Sequence, residues 1–231
     1  MSAAFGGPVA IESGVAGDGI SLFTPAEDME RVRLLLGALQ PGDTGLLRIY
    51  RPRPTAAFAP RDAALAGHGA ALAALAARGF AAVERRTGGQ LAIYDENALV
   101  IDLVAPHAEP RHHVLERFGG FAAAVAAALC DLGIDARVGA VPGEYCPGDY
   151  SVNAQGRVKL AGIAQRVGRG GYHLGAVISV QPAGAVHDAV AEAYALLGMP
   201  FDAASFGAAG IGFGGLAAAL PNHLRALLPV R

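Results

Sequence analysis

Two residues in this sequence are suited to covalent chemistry because of their types and their spacing. Cys146 lies in the segment Gly-Glu-Tyr-Cys-Pro-Gly-Asp over 143–149, whose turn-forming residues predict an accessible loop. Lys159 follows a short hairpin later and is the only lysine among 18 Lys and Arg residues. A lysine, unlike an arginine, can exchange a proton after burial, and its ammonium would stabilise a nearby thiolate nucleophile. The pair therefore predicts nucleophilic catalysis, although on composition alone Lys159 could be a chance survivor on a strand surface.

Other residues that could do chemistry leave more alternatives open. The segment Arg-Arg-Thr-Gly-Gly over 85–89 is either a tight hairpin turn or a loop whose backbone approaches a phosphate or carbonyl oxygen, and it lacks P-loop spacing. Cys130 ends an Ala-rich helical pattern and is predicted to be a buried core residue. His107, His112 and His113 have no Cys or acidic partner at metal-ligand spacing, so we predict no metal site.

The elements that must position these residues are helices and clustered strands. Strands cluster and helices flank them without strict alternation, which predicts an α+β fold. Turns near 155 and 169 predict an antiparallel meander after Cys146. Residues 1–22 are small and glycine-rich, and they are predicted to be irregular. The predicted helices are 25–39 with Thr24 as its cap, 61–78, 112–132, 185–197 and about 221–228. The predicted strands are 46–50, 55–59, 81–85, 90–94, 98–104, 150–153, 157–167 and 172–180.

Length and composition limit the class of protein. The 231 residues are 53% hydrophobic and 16% charged, which predicts one well-packed domain over 1–231. The formal net charge of -2 gives no electrostatic footprint for nucleic acid. No apolar stretch is long enough to cross a membrane, and we expect no membrane partner. Without a signal-peptide pattern and with 2 cysteines, a cytoplasmic location is expected. An edge of the meander could pair between chains, but a monomer is expected.

Three motifs resemble the lipoate–protein ligase and octanoyltransferase superfamily, which is related to the biotin protein ligases. The Arg-Arg-Thr-Gly-Gly segment over 85–89 is similar to the family's R-R-x-G-G loop. The segment Lys-Leu-Ala-Gly-Ile-Ala-Gln over 159–165 is similar to its K-x-x-G-x-[AS]-Q segment. Tyr-Cys-Pro-Gly over 145–148 resembles the cysteine-dependent octanoyl-[glycine cleavage H protein]:protein N-octanoyltransferase branch. Ligases and the common octanoyltransferases usually carry a His after the double glycine, whereas this chain has Gln-Leu-Ala-Ile-Tyr-Asp over 90–95.

The resemblance implies a catalytic domain of the biotin/lipoyl protein ligase type, with a mixed, mainly antiparallel sheet, flanking helices and an acyl tunnel. It implies transfer of an octanoyl or lipoyl group, through a thioester on Cys146 assisted by Lys159, from a donor carrier domain to a lysine of a lipoyl domain. Backbone amides near Cys146 or at 161–162 are expected to stabilise the oxyanion. The implied substrate-binding residues are Arg85, Arg86, Thr87, Gly88, Gly89, Gly162 and Gln165, and Tyr94, Tyr145 and Tyr150 are further candidates for the pocket lining.

The implied partners are lipoyl-domain proteins, namely the glycine cleavage H protein and the E2 subunits of 2-oxoacid dehydrogenases, or an acyl carrier protein. No cofactor is expected. Two alternatives stay open from the residues alone. An ATP-dependent lipoate–protein ligase would use ATP and would not need Cys146, and a non-catalytic acyl- or lipoyl-domain-binding module would form no covalent adduct.

Overall fold

The computed structural model describes residues 2–12, 18–225, 227 and 228, and these residues form ten strands and six α-helices. The strands are β1 (Val9–Glu12), β2 (Gly45–Tyr50), β3 (Thr55–Phe58), β4 (Ala81–Glu84), β5 (Ala92–Tyr94), β6 (Ala98–Pro106), β7 (Ala136–Val138), β8 (Val152–Ala154), β9 (Val158–Val167) and β10 (Gly171–Ser179). The helices are α1 (Ser2–Phe5), α2 (Pro25–Ala38), α3 (His68–Ala77), α4 (Val114–Cys130), α5 (Gly184–Leu197) and α6 (Phe213–Arg225).

The strands form two sheets. The 7-stranded sheet has the order β1-β2-β6-β10-β9-β8-β7, and the 3-stranded sheet has the order β4-β3-β5. β1 pairs with β2 in parallel and β3 with β4 in parallel, while the other neighbours are antiparallel. The predicted α+β class, the mainly antiparallel sheet and the meander β8-β9-β10 are confirmed.

The apolar core consists of separate clusters, each packed on a face of one of the two sheets. One face of the large sheet contributes Leu47, Ile101 and Leu174 to a cluster with the buried sides of α4 and α6. The small sheet packs its own cluster, around Ile93, against α3 and α5. Because successive strand residues point to opposite faces, the other face of the large sheet is turned toward α2 and the small sheet. The space between them becomes a cavity.

The first long helix begins as its sequence predicts. The Thr24 hydroxyl accepts a hydrogen bond from the Glu27 N–H at 3.3 Å, and a Glu27 carboxylate oxygen accepts from the Thr24 N–H at 2.8 Å. This reciprocal capping box satisfies two amides that the first helical turn leaves without partners. α2 therefore starts at Pro25, and its buried side lies against β6 and β10.

Two strands lie where the sequence carries no strand signal. Residues 1–22 were expected to be irregular, but β1 pairs along β2 from Val9 opposite Gly45 to Glu12 opposite Arg48. Just before it, Phe5 is buried in the main core. Residues 1 and 13–17 lie outside the described part. β7 was also not predicted, and it forms the opposite edge by pairing with β8. Both strands are short and depend on distant partners rather than on local pattern.

The predicted helix over 61–78 is wrong in its first half. A 3₁₀ turn spans Pro60–Ala64, and α3 begins only at His68. The Asp62 carboxylate accepts a hydrogen bond from the Ala59 N–H at 2.7 Å, which caps the start of this short turn. A side chain at Gly67 would meet the Leu196 carbonyl oxygen at 1.8 Å, so α5 passes directly over the break.

Two further helix boundaries differ from expectation. α4 begins at Val114 because His113 adopts a left-handed conformation with φ of 58°. The last helix was predicted to start near Pro221, but α6 begins at Phe213 and contains that proline. Its buried face, with Leu216 and Leu220, packs on α4 and outweighs the local preference of proline for a helix start. None of the described helices combines the length and apolar content that a bilayer crossing requires.

Candidate active site

The loop before β8 holds Cys146 in a fixed and unusual conformation. Cys146 has φ of 43°, in the left-handed region that few non-glycine residues adopt. Its backbone N–H donates to the Tyr194 hydroxyl at 2.7 Å, and that hydroxyl donates to the Leu91 carbonyl at 2.8 Å. Tyr194 lies on the buried side of α5. One hydroxyl therefore connects the cysteine loop to the residue that precedes β5.

The Cys146 sulfur faces the Arg-Arg-Thr-Gly-Gly loop. Its Sγ accepts hydrogen bonds from the Gln90 N–H at 3.2 Å and from Arg85 Nη2 at 3.2 Å. A Cβ at Gly89 would lie 2.5 Å from Arg85 Nη2 and 2.8 Å from Sγ, so only glycine leaves room for this contact. Two hydrogen-bond donors, one of them on a cationic side chain, therefore meet at this sulfur.

Lys159 lies beneath the same loop and is buried. Its Nζ donates to the carbonyl oxygens of Tyr145 at 2.9 Å and Cys146 at 2.8 Å, and lies 3.6 Å from Oε2 of Glu144. Burial lowers the pKa of Lys159, while the charges of Glu144 and Cys146 oppose that shift. Lys159 therefore contacts the backbone of the cysteine loop, and the groups that donate to Sγ come from the loop after β4.

A cavity of about 1010 Å³ opens beside Cys146 and extends across the large sheet. Gly162 on β9 and Gly175 on β10 line it. Neither glycine has a side chain of its own, so the backbone of both strands borders the cavity there. Val177 also lines the cavity and lies against an apolar cluster that includes Tyr50 and Tyr94. The cavity has the shape and lining to bury an apolar chain whose reactive end lies at Cys146.

A buried network of charged side chains borders this cavity through Asp28, Asp102 and His173. Arg48 Nη2 contacts Asp28 Oδ1 at 2.6 Å, and Arg48 Nη1 lies 3.6 Å from Asp102 Oδ2. His173 Nε2 lies 2.9 Å from Asp102 Oδ1, and the Ser21 hydroxyl donates to Asp28 at 2.8 Å. Burial raises the pKa of Asp28, and the hydrogen bonds from Arg48 and Ser21 oppose that shift. The network joins α2, β2, β6 and β10.

The other residues suggested by the sequence are distributed around the cavity. Arg86, Thr87 and Gly88 line it together with all three candidate tyrosines. The Arg86 carbonyl accepts a hydrogen bond from Arg166 of β9 at 2.6 Å, so the two strand ends are tied together at that point.

Gln165 lines the cavity but has its side-chain amide engaged, and Cys130 lies elsewhere than expected. Gln165 turns its side-chain amide to α4, where Oε1 accepts from Arg117 Nε at 3.0 Å and Nε2 donates to the Val114 carbonyl at 3.3 Å. Its side chain therefore fixes β9 to α4. Cys130 was predicted to be core but is exposed, because it occupies the outward side of the last turn of α4. Within the described residues, no group of three or more His, Cys, Asp and Glu side chains is arranged to hold a metal ion.

Several residues of the site carry no signal in a single sequence. Tyr194 reads as one of many apolar positions of α5, and Glu144 reads as a turn residue. Yet Glu144 is buried, and its Oε1 accepts from the Gly148 N–H at 3.0 Å and the Ser151 hydroxyl at 2.8 Å. The Asp28–Arg48 pair joins residues far apart in the chain, so only the folded structure reveals it.

Comparisons with known proteins agree with this geometry. The family model described as lipoyl protein ligase A/B catalytic domain matches residues 25–195. A protein of Geobacillus kaustophilus named octanoyl-[GcvH]:protein N-octanoyltransferase is 32% identical over 115 residues, which are 50% of this chain and 40% of that protein. A protein of the same name from Anoxybacillus flavithermus is 29% identical over 140 residues, which are 61% of this chain and 50% of that protein. The matches thus span half or less of these relatives' own length.

Solved structures share the fold. Protein Ta0514 of T. acidophilum with bound lipoic acid superposes with a TM-score of 0.72 at 17% identity, covering 98% of this chain and 88% of that chain. Lipoate-protein ligase A bound with ATP superposes with a TM-score of 0.68 at 18% identity, covering 100% of this chain and 88% of that chain. At this level of identity, the likeness establishes the fold alone.

Proposed function

The chain belongs to the family of lipoyl protein ligase A/B catalytic domains, and from that membership we propose that it is an octanoyl or lipoyl N-acyltransferase of protein lipoylation. In this proposal, the acyl group is carried as a thioester on Cys146. The observation that supports it best is the position of Sγ at the cavity, where it accepts hydrogen bonds from Arg85 and the Gln90 N–H. We propose further that residues 1–231 act as a single catalytic domain and a monomer.

The proposed reaction is a ping-pong transfer. The Cys146 thiolate attacks the acyl carbonyl carbon, a C–S bond forms, and one carbonyl electron pair moves to oxygen. When the C=O bond re-forms, the C–N bond to the donor lysine breaks and its nitrogen takes a proton. The acceptor's lysine amine then attacks the thioester carbon and a C–N bond forms. The amine loses one proton, the C–S bond breaks, and the Cys146 thiolate is restored as the amide forms. No ATP, metal or other cofactor enters, because one acyl bond is exchanged for another.

Lys159 is the proposed proton carrier of this exchange. Burial lowers its pKa, so its ammonium gives up a proton more readily than an exposed lysine would. In the first half-reaction it protonates the departing nitrogen, and in the second it accepts a proton from the attacking amine. Its hydrogen bonds to the carbonyls of Tyr145 and Cys146 keep it beside the nucleophile.

The relatives' name supports the proposed partners. We propose that the donor is an octanoylated glycine cleavage H protein and that the acceptors are lipoyl domains of 2-oxoacid dehydrogenases. An acyl carrier protein is the alternative donor, since its thioester could acylate the same cysteine. The cavity accepts the apolar tail, whose burial contributes about 0.8 kcal/mol per methylene. Arg86 at the cavity is available to acidic groups of a docked partner domain.

Intact-protein mass spectrometry after mixing with octanoylated H protein, and separately with octanoyl-acyl carrier protein, tests the proposal. We expect a hydroxylamine-labile octanoyl adduct on the native chain that is absent from Cys146→Ser and retained by Cys130→Ser, since Cys130 is exposed on α4. The more efficient donor identifies the reaction. A folded protein that forms no adduct with either donor, but forms an adenylate with ATP, Mg²⁺ and lipoate, would instead be an ATP-dependent ligase.

A further inference from the structure

The amides of the cysteine loop are already engaged, which limits where an oxyanion can bind. The Cys146 N–H donates to Tyr194, residue 147 is a proline without an N–H, and the Gly148 N–H donates to Glu144. These groups cannot donate to a developing oxyanion without breaking buried hydrogen bonds. The oxyanion donors are therefore more readily supplied by amides outside the cysteine loop.

The facing loop offers the donors that the cysteine loop lacks. Arg85 is buried, its Nη2 donates to the Gln90 carbonyl as well as to Sγ, and these contacts fix the guanidinium plane. Its Nε is also buried and has no hydrogen-bond partner among the described residues. Nε belongs to the same rigid planar group as Nη2, so Arg85 brings a second, unused donor to the neighbourhood of the sulfur.

We propose that Arg85, together with the Gln90 N–H, forms the anion site of the reaction, which stabilises first the Cys146 thiolate and then the oxyanion. This inference rests on the proposed function, and it makes Arg85 a catalytic residue rather than only a part of the acyl pocket. Lys159 has a separate task, because its ammonium contacts the loop carbonyls and not Sγ.

The chemistry of the attack explains how one site can serve two anions. When Sγ bonds to the acyl carbon, the negative charge leaves the sulfur and moves to the carbonyl oxygen. That oxygen is bonded to the carbon under attack, so it lies beside the donors that the sulfur no longer needs. The Gln90 N–H and Arg85 Nη2 can then donate to this oxygen instead of to Sγ, and Arg85 Nε can add a third hydrogen bond. Gly89 permits this approach because any side chain there would separate the guanidinium from the sulfur.

Alkylation with iodoacetamide tests the thiolate part without an acyl donor. In a Cys130→Ser background, only Cys146 reacts as a thiol. We expect Arg85→Met to lower the alkylation rate at pH 7 by about tenfold or more, because the cation that donates to Sγ and stabilises negative charge on it is lost. The matched control is Arg137→Met, which removes an exposed arginine of β7 that pairs with Asp135. This variant should be alkylated at the parent's rate.

Octanoylation kinetics test the oxyanion part. We expect Arg85→Met to slow adduct formation by about 10²- to 10³-fold, the usual effect of losing an oxyanion donor. Arg85→Lys keeps a charge near the sulfur but loses the planar fork, so it should retain most of the alkylation rate and still lose at least about tenfold in octanoylation. Circular dichroism of each variant establishes that it is folded.

Two results would overturn the inference. The first is unchanged alkylation in folded Arg85→Met, and the second is octanoylation by Arg85→Lys at the parent's rate. If Arg85→Met does not fold, Arg85→Lys alone tests the inference. Its alkylation rate reports the effect of the positive charge, and its octanoylation rate reports the effect of the planar guanidinium. Failure of the proposed function looks different, because the native chain would then form no octanoyl adduct while Arg85 still controlled the alkylation rate.

Discussion

The Tyr194 hydroxyl accepts a hydrogen bond from the backbone N–H of Cys146 and donates one to Leu91, so a residue of α5 fixes the position of the proposed nucleophile. Because this contact is buried and made to the backbone, it supports the strained conformation of Cys146 without taking part in chemistry. Tyr194 is thus a positioning residue.

We expect Tyr194→Phe to lower the free energy of unfolding by about 1–3 kcal/mol, because it leaves two buried backbone groups unpaired. It should also slow octanoylation, since the cysteine loop loses its anchor. Tyr172→Phe is a matched control, because the Tyr172 hydroxyl is buried and donates to the Phe5 carbonyl far from Cys146. Urea denaturation should show a loss of stability for both variants, smaller for Tyr172→Phe because it leaves one backbone group unpaired. Equal octanoylation rates in the two would contradict a positioning role for Tyr194.

Adjacent glycines of the loop after β4 should differ sharply in their tolerance of a methyl group. Gly89→Ala is expected to abolish the octanoyl adduct, because φ of 106° strains an alanine and its Cβ would displace Arg85 or Sγ. Gly88→Ala should keep most of its octanoylation rate, since no atom outside the neighbouring residues lies within 4 Å of the added Cβ. Single-turnover octanoylation of both variants measures the difference. Similar rates would mean that the contact between Arg85 and Sγ is not needed.

The length of the accepted acyl chain should depend on Val177. A phenylalanine there would fill cavity space beside the apolar cluster that includes Tyr50 and Tyr94. We expect Val177→Phe to shift the preference from octanoyl toward hexanoyl by about 15-fold, corresponding to two methylenes at about 0.8 kcal/mol each. Competition between the two donors, read by intact mass, gives this ratio. Val138→Phe on exposed β7 should leave the ratio unchanged, and a shift there as well would point to a general effect.

The lowered pKa of Lys159 predicts how the rate depends on pH. Burial lowers this pKa, so the ammonium that protonates a leaving amine is lost before the pH reaches the ordinary lysine value of about 10.4. The rate of octanoylation by octanoyl-H protein, an amide donor, should therefore fall as the pH becomes alkaline. Octanoylation from a thioester donor should fall less, because a leaving thiolate needs no proton. Parallel alkaline limbs for the two donors would argue against Lys159 as the proton carrier.

The raised pKa of Asp28 predicts a pH dependence of stability. Between the ordinary Asp value of about 3.9 and the raised value, the folded state binds more protons than the unfolded state. The contribution of Asp28 to the free energy of unfolding is therefore complete below that ordinary value and is lost as the pH rises through the raised one. Asp28→Asn cannot ionise, so the stability of the native chain relative to this variant should decrease as the pH rises. A constant difference would mean that Asp28 keeps its ordinary pKa when folded.

Local pattern was enough to predict much of the fold. The capping box at Thr24, the glycine turns of the meander and the Ala-rich helices all depend on residues close in sequence. The structure departs from prediction where distant partners decide. β1 needs β2 to become a strand, and the helix over 61–78 breaks where Gly67 meets α5. Helical periodicity also failed to place Cys130, because the last turn of a helix can face outward.

The motifs placed Cys146, Lys159 and the Arg-Arg-Thr-Gly-Gly loop in one neighbourhood, but not their partners. The sequence suggests that Lys159 serves the sulfur, whereas the folded chain brings Arg85 to it and turns Lys159 to the loop carbonyls. Tyr194 and the Asp28–Arg48 pair could not be found, because nothing near them in sequence marks them as polar members of a buried site.

The burial of Lys159 has one more consequence. A protein that holds an activated acyl group and delivers it to lysine amines is at risk of modifying itself. The only lysine of this sequence is 2% exposed, and its Nζ donates to the Cys146 carbonyl oxygen. All the other Lys and Arg positions are arginine. Guanidinium groups stay protonated and are poor nucleophiles. In the proposed reaction, no exposed lysine of this sequence would therefore compete with the acceptor lysine of a partner for the acyl group.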